Sequence, residues 1–193
     1  MSSVVSAFLI SFAFIFVAEL GDKSQLMALT FATRFPIRVV LAGITTATAV
    51  VHAVSVGIGA AVGAALPTRP IKVVAAVAFV IFALWTLRGD RLTDEERERA
   101  REGSRSAFWV VTVVFFLAEL GDKTMLATIT LATEHGILGT WLGSTVGMVL
   151  ADTLAIVVGR RLGARLPERA IRIGAALLFF AFALWMFVEA ASA

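Results

Sequence analysis

Apolar residues in this chain run in long stretches that short polar segments interrupt. Six stretches are long and apolar enough to cross a hydrocarbon core, for which a helix needs about 20 residues. They cover approximately residues 6–31, 39–65, 71–87, 107–132, 137–158 and 170–188. The pattern therefore predicts an all-α polytopic membrane protein with six transmembrane helices.

The segment between the third and fourth stretches differs from the other connections, which are short. Residues 88–105 are rich in charges of both signs, at spacings that suit a solvated helix. We interpret this segment as a polar linker between two parts of the chain, with a regulatory arm as the alternative.

Those two parts are copies of each other, because the sequence aligns with itself after a shift of 100 residues. The Phe-Ala-Leu-Trp sequence at 82–85, for example, recurs at 182–185. Residues 1–87 form the first three-helix repeat and residues 106–193 the second. Three spans are an odd number, so the second copy must enter the membrane from the opposite side. The sequence thus predicts inverted-topology repeats, an architecture that places the substrate site near the middle of the membrane at the repeat interface.

Lysine and arginine residues are distributed unevenly between the two sides of this predicted topology. One side has only Arg69 and Lys72. The other side carries thirteen arginines, which are Arg34, Arg38, Arg88, Arg91, Arg97, Arg99, Arg101, Arg105, Arg160, Arg161, Arg165, Arg169 and Arg172. The positive-inside rule places the arginine-rich side in the cytoplasm. We therefore expect the 88–105 linker in the cytoplasm and both termini outside.

The composition agrees with a membrane protein and excludes other classes. Hydrophobic residues make up 59% of the 193 residues and the mean hydropathy is +0.91, which excludes a water-soluble globule. The chain has no cysteine, so neither a disulfide nor a thiolate metal site is expected. Its net charge of +3 comes from arginines beside apolar stretches, which favours a topological signal over nucleic-acid binding. No cationic segment precedes the first stretch, so we expect no cleaved signal peptide.

The hexapeptide Ala-Glu-Leu-Gly-Asp-Lys occurs twice, at 18–23 and at 118–123, and each copy lies inside an apolar stretch. An ionised residue at the centre of a transmembrane helix costs about 2.5–3.5 kcal/mol on insertion scales. Six such residues without partners would cost on the order of 15–20 kcal/mol. Ionisable residues inside a membrane mark a substrate or ion pathway by default, so this motif is the first candidate for the functional site.

On a continuous helix, residues three and four positions apart share a face, so Glu19 is expected beside Asp22. The pseudo-two-fold axis of the repeats should bring this pair to Glu119 and Asp122 near the middle of the bilayer. Four carboxylates form a hard-oxygen metal site, which suits Ca²⁺, Mn²⁺ or Mg²⁺. Three neighbouring side chains could add neutral oxygens, and these are Ser24, Gln25 and Thr124.

The charges of the motif suggest how such a site would work. Four carboxylates with Lys23 and Lys123 give a net charge of −2, which one divalent cation or two protons would neutralise. Clustered carboxylates in a low-dielectric environment can take up protons near neutral pH. The hypothesis is electroneutral exchange of one divalent cation for about two protons. The alternative is that each lysine pairs with the glutamate four residues before it and only pins two helices together.

Two further polar residues lie within predicted spans. Asp152 aligns with His52 in the other repeat. Either residue could serve as a proton relay or as an extra metal ligand. For His52, a hydrogen-bonded packing residue is the alternative.

The doubled Glu-x-Gly-Asp-Lys-Ser/Thr motif, at 19–24 and 119–124 in a six-span chain of two halves, resembles the Golgi-type calcium/manganese:proton antiporter family. That family has many bacterial members. The resemblance implies transport of Mn²⁺ or Ca²⁺ driven by proton counterflow, with the motif acids as metal ligands and the hydroxyls of Ser24 and Thr124 in support. For a bacterial member it implies export of Mn²⁺ across the cytoplasmic membrane. Gln25 aligns with Met125, so any role of the amide exists in one half only.

Three functions therefore compete. The first is a secondary active divalent cation/proton antiporter that works by alternating access. The second is a passive divalent cation channel with the same acidic ring, and the third is an exporter of small organic cations such as basic amino acids. None is an enzyme, and none needs a tightly bound cofactor. The expected partners are the transported cations, protons and the lipid bilayer, and a homo-oligomer is left open.

Overall fold

The computed structural model describes residues 2–65, 67–88, 107–162 and 168–192. Within these ranges the chain forms eight helices and no strand, which confirms the all-α prediction. The helices are α1 (Ser2–Glu19), α2 (Lys23–Arg34), α3 (Ile37–Ala65), α4 (Thr68–Arg88), α5 (Ala107–Glu119), α6 (Lys123–Glu134), α7 (Ile137–Leu162) and α8 (Glu168–Ser192).

The prediction of one continuous helix over 6–31, and of another over 107–132, is wrong. Each stretch is two helices with a break in the hexapeptide, and α1 and α2 meet at a bend of 74°. Gly21 and Gly121 have φ angles of +77° and +78°, in the left-handed region that only glycine adopts without a steric penalty. The following Asp22 is extended, with ψ 166°, and begins the next helix. A hydropathy profile does not detect this break, because apolar residues continue on both sides of it.

The lengths and composition of the helices support some, but not all, of the six predicted membrane spans. Among the described residues, α3, α4 and α7 are each long and apolar enough to cross a membrane, and α1 with α2 makes a fourth if the bent pair is one span. The helix α5 is apolar but has only 13 residues. The fifth and sixth spans stay predictions at this level.

The largest helix contacts join the two halves of the chain. The long helix α7 runs beside α1, where Gly139, Gly143 and Gly147 lie directly on the α1 backbone. A Cβ atom at Gly143 would lie 2.4 Å from the carbonyl oxygen of Phe8, and one at Gly147 would lie 2.8 Å from that of Phe12. Further along α7, a Cβ at Gly159 would lie 2.8 Å from the Leu29 side chain in α2. Glycines later in α7 contact residues later in α1 and α2, so α7 runs parallel to the α1–α2 pair.

The same arrangement occurs around α3. A Cβ at Gly43 would lie 2.8 Å from the side chain of Val111 in α5, and one at Gly63 would lie 2.5 Å from the carbonyl oxygen of Thr133 in α6. Each long helix thus runs parallel to the broken helix pair of the other half. Any side chain at these glycines would force the helices apart.

The helices α4 and α8, which align with each other in the repeat, form the second large contact between the halves. Phe79 and Phe179 both pack against Phe14 of α1, with ring centroids 4.9 Å apart in each case. Buried aromatic rings contribute large apolar areas and pack in tilted or edge-on geometries. This phenylalanine cluster braces α1, the helix that leads to the first break.

Several expectations concern residues beyond the described ranges. The 88–105 linker lies outside them except for Arg88, as do several arginines in the topology count. The cytoplasmic position of the linker and the external termini therefore stay predictions.

Candidate ion-binding site

The two helix breaks bring both hexapeptides to one place inside the protein. Glu19 and Glu119 are the last residues of α1 and α5, and Asp22 and Asp122 are the N-caps of α2 and α6. All four carboxylates are buried, each with at most 3% of its surface exposed. The predicted meeting of acids from the two halves is observed, although the expected single helix face is not, because each helix stops after the glutamate.

Ion pairs cross between the halves. The ammonium of Lys123 lies 2.5 Å from Asp22 Oδ1, and the ammonium of Lys23 lies 3.6 Å from Asp122 Oδ1. The first pair is the more buried, since the Lys123 side chain is 4% exposed and the Lys23 side chain 16%. The alternative in which each lysine pairs with the glutamate four residues before it does not account for these contacts. Each lysine has the aspartate of the other half as a partner.

The glutamates accept hydrogen bonds from hydroxyls in the first turn of the helix that follows each break. The Ser24 hydroxyl donates to Glu19 Oε1, and the Thr124 hydroxyl donates to Glu119 Oε2 at 3.0 Å. Both hydroxyls therefore lie beside the glutamates, and their role as metal ligands stays a prediction. Oxygens Oε2 of Glu19, Oε1 of Glu119 and Oδ2 of Asp22 have no hydrogen-bond partner among the described residues. Buried carboxylate oxygens without partners are costly, and they are the type of atom that a hard cation contacts.

The Gln25 side chain makes hydrogen bonds at the helix break of the first half, and the second half has no matching amide. Its Oε1 accepts a hydrogen bond from the backbone N–H of Gly21 at 2.8 Å, and its Nε2 donates to the carbonyl of Ala151 at 3.0 Å. In the other half, the Gly121 N–H lies 3.2 Å from the sulfur of Met125, which is a weak acceptor. The amide thus ties the first break to α7, and the second break has no equivalent tie through Met125.

Asp152, the neighbour of Ala151 on α7, is a fifth acid of this cluster. It is fully buried, and neither of its carboxylate oxygens has a hydrogen-bond partner among the described residues. Its charge acts on both Glu19 and Glu119. The charge of −2 expected for the motif leaves Asp152 out. With all five carboxylates and both lysines ionised, the total is −3.

His52 has a different environment from its repeat-mate. The ring is buried, and its Nδ1 lies 3.3 Å from the Thr145 hydroxyl of α7. No contact described in the structure links the ring to the carboxylates. This observation agrees with the alternative of a hydrogen-bonded packing residue.

The carboxylates lie close together, but they do not surround a common position where a metal ion could bind. Within the described ranges, no three His, Asp or Glu side chains are arranged to hold a metal ion together. The lysine ammonium groups take part of the space around Asp22 and Asp122 instead. In this conformation the site is an ion-paired cluster in which the cations come from the protein itself.

Comparison with known proteins gives a family match in both halves. The family model described as "Divalent cation/proton antiporter GDT1" matches residues 7–94 and, separately, residues 107–193. The two matched segments correspond to the two repeats.

Relatives of similar length come from bacteria and plants. A protein of Vibrio cholerae named "Putative manganese exporter" is 35% identical over 185 residues, which cover 94% of this chain and 90% of the relative. A GDT1-like protein of Synechocystis sp. is 32% identical, with 93% and 96% covered. GDT1-like protein 5 of Arabidopsis thaliana is 27% identical, with 94% and 95% covered. No solved structure matches the chain.

Proposed function

Because the chain belongs to the GDT1 family of divalent cation/proton antiporters, we propose that it exports Mn²⁺ from the cytoplasm in exchange for protons. Ca²⁺ is a second candidate substrate, since it prefers the same oxygen ligands. The observation that carries the proposal is the buried cluster of five carboxylates and two lysines. Both halves contribute to this cluster, and ion pairs between lysines and aspartates join them across the interface.

The proposed topology is six spans in two inverted repeats. Between Gly139 and Gly159, α7 stays beside the α1–α2 pair over a rise of about 30 Å, which is the thickness of a hydrocarbon core. This length favours one broken span over a re-entrant loop. The contacts of α3 with α5 and α6 cover a similar length. If each broken pair and α8 cross once, consecutive spans alternate in direction and the second half is inverted.

In this proposal the metal binds where the lysines now lie. Glu19, Asp22, Glu119 and Asp122 are its ligands, with the hydroxyls of Ser24 and Thr124 holding the glutamates in place. A divalent cation competes with the ammonium of Lys123 for Asp22, so binding of the metal requires that this ion pair opens. The lysines thus act as internal counter-ions that stabilise the acids while the transported ion is elsewhere.

Asp152 changes the charge balance without changing the exchange ratio. The fully ionised cluster carries −3, so one divalent cation leaves −1 and one proton completes neutralisation. Without the metal, three protons neutralise the same groups. The difference between the two neutral states is two protons for one divalent cation, and the exchange is electroneutral.

Proteoliposomes separate this proposal from its alternatives. With the membrane potential held at zero by potassium and valinomycin, a pH gradient with an acidic lumen should drive Mn²⁺ into the lumen and alkalinise it in step. Mn²⁺ movement that follows an imposed voltage and ignores the pH gradient would instead identify a channel. Competition by excess lysine or arginine would favour an organic-cation exporter. The variant Glu19→Gln should abolish Mn²⁺ and proton movement together.

A further inference from the structure

The repeat-related positions on either side of the acidic cluster differ in chemistry. In the first halves of α3 and α5, Val40, Ile44 and Val111 are fully buried and belong to one apolar cluster. We call these three residues the apolar layer. In α7 and α1 the aligned residues are Thr140, Ser144 and Ser11, which are also fully buried. We call these the hydroxyl layer.

The hydroxyls of the hydroxyl layer have no hydrogen-bond partner in the part of the chain that the structure describes. The hydroxyl of a serine or threonine in a helix ordinarily donates a hydrogen bond to the backbone carbonyl four residues earlier. Other buried or half-buried serines and threonines make this hydrogen bond, and these are Ser55, Thr112, Thr128 and Thr153. The three hydroxyls therefore point away from the carbonyls of their own helices.

The hydroxyl layer lies at one level of the α1–α7 contact. Gly143, the neighbour of Ser144, packs on the α1 backbone from Phe8 to Phe12, the segment that contains Ser11. The side chains of Thr140 and Ser144 are four residues apart and share a face of α7. All three hydroxyls thus occupy the same parallel interface.

Two rows of side chains lead from this layer to the acids. On α1 the row is Ser11, Ile15 and Glu19, and on α7 the row continues from Ser144 through Met148 to Asp152. Each step of four residues rises about 6 Å along the helix. Ile15 and Met148 are fully buried, and they form a single apolar step between the hydroxyls and the carboxylates.

Packing alone does not account for the hydroxyl layer. The other half builds the equivalent layer from valine and isoleucine, and valine has nearly the shape of threonine. Polar groups without partners are unfavourable inside a membrane protein, and those that occur there line pathways or water-filled cavities.

We propose that Ser11, Thr140 and Ser144 line the external half of the ion pathway, through which protons reach the acids and the divalent cation leaves. The proposal rests on the proposed function and its topology, in which the N-termini of α1 and α7 face the outside. Hydroxyl oxygens can replace part of the water shell of a hard cation and can hydrogen-bond the water that carries protons. The hydroxyl residues are themselves fully buried, so the external half of the pathway is closed in this conformation, with Ile15 and Met148 between the hydroxyls and the acids. The apolar layer closes the cytoplasmic half.

Cysteine accessibility tests the sidedness directly, because the chain has no cysteine of its own. Single variants Ser11→Cys and Ser144→Cys are compared with their repeat-related controls, Val111→Cys and Ile44→Cys, in vesicles of known orientation. A membrane-impermeant methanethiosulfonate reagent added from the external side should modify the first two at least about tenfold faster than the controls. Equal modification of all four, or modification of Ser11→Cys and Ser144→Cys from the cytoplasmic side only, would overturn the proposal.

Isosteric variants test the chemistry of the hydroxyls. The triple variant Ser11→Ala, Thr140→Val, Ser144→Ala should slow proton-coupled Mn²⁺ exchange about tenfold or more, since each lost oxygen raises the barrier for a moving cation. Its Mn²⁺ Kd should stay unchanged. Thr112→Val is the control, because the Thr112 hydroxyl donates to Phe108 in its own helix, and it should exchange like wild type.

The two proposals fail in different ways. A wild-type protein that moves Mn²⁺ without protons contradicts the antiport function, whatever the variants do. A wild-type protein that exchanges Mn²⁺ for protons, together with a triple variant of equal rate, contradicts only the role of the hydroxyl layer.

Discussion

The ammonium of Lys123 lies 2.5 Å from the carboxylate of Asp22, although the two residues belong to different halves of the chain. This pair and its counterpart between Lys23 and Asp122 hold the two motifs together inside the protein. Both aspartates are the N-cap residues of the helix after a break, so each ion pair joins the break in one half to a lysine of the other half. Transport and stability should therefore depend on the same contacts.

Removal of the Lys123 ammonium should destabilise the metal-free protein. Lys123→Met leaves Asp22 as a buried carboxylate without its closest cation, and loss of one partner of a buried pair costs about 3–5 kcal/mol. The melting temperature in detergent measures this loss. Mn²⁺ should raise the melting temperature of the variant more than that of wild type, because the metal no longer competes with the ammonium.

Lys23→Met is the matched control for that experiment. Its ion pair is longer, at 3.6 Å, and its side chain is more exposed, so the loss of stability should be smaller. An equal or larger loss in Lys23→Met would show that the crossed pairs do not differ as the geometry indicates.

Removal of both partners should recover stability without recovering transport. In the double variant Asp22→Asn, Lys123→Met neither member of this pair carries a charge, so its melting temperature should exceed that of Lys123→Met. The coupling energy from the double-mutant cycle should be at least about 1 kcal/mol. Mn²⁺ exchange in proteoliposomes should stay absent, because Asp22 is a proposed ligand. A double variant as unstable as the sum of its single variants would contradict the pairing.

The break after Glu19 should depend on glycine. Gly21→Ala forces a side chain into a left-handed conformation at φ +77°, which costs about 1–2 kcal/mol and shifts Glu19 relative to Asp22. We expect a lower melting temperature and a loss of Mn²⁺ exchange. Gly57→Ala is the control, since a Cβ there has no neighbour within 4 Å and alanine favours a helix by about 0.5–1 kcal/mol. That variant should be at least as stable as wild type and fully active.

Asp152→Asn should stabilise the metal-free protein while it impairs exchange. The substitution keeps the shape of the side chain and removes a buried charge that repels Glu19 and Glu119. The melting temperature without metal should rise and the rate of Mn²⁺ exchange should fall, while the number of protons moved per Mn²⁺, measured with a luminal pH dye, should stay unchanged. A variant with wild-type stability and a wild-type exchange rate would place Asp152 outside the site.

Protons should weaken the stabilisation that Mn²⁺ provides. Metal and protons neutralise the same carboxylates, so acidification fills the site with protons and lowers the apparent affinity for the metal. The shift in melting temperature at fixed Mn²⁺ should be large at mildly alkaline pH and should shrink as the pH falls. A shift that is independent of pH would contradict competition between the two ions.

The acids could be found from the sequence because charged residues stand out in apolar stretches. The break between them could not be found from hydropathy, although the local signal is present: Gly21 is followed by Asp22, a preferred N-cap residue. The partner of each lysine depends on how the halves interlock, which no local pattern encodes. Asp152 lies far from the motif in sequence, and only the packing of α7 against α1 and α2 brings it to the glutamates.

The hydroxyl layer leaves a signal in the sequence that does not identify it without the structure. Aligning the halves sets Ser11 against Val111 and Ser144 against Ile44, yet a serine in an apolar stretch is ordinarily satisfied by its own helix. Only the structure distinguishes hydroxyls that donate to their own backbone from those that do not.

The parallel contact of α7 with α1 and α2, and of α3 with α5 and α6, has a consequence for how such a protein can arise and assemble. A single half lacks the surface against which its glycine-bearing helix fits, and in the proposed inverted topology that surface belongs to a second copy inserted in the reverse direction. In that proposed topology, fusion of two such copies gives one of each orientation in every molecule. In the duplicated chain, the two halves therefore associate within one molecule instead of as two separate chains.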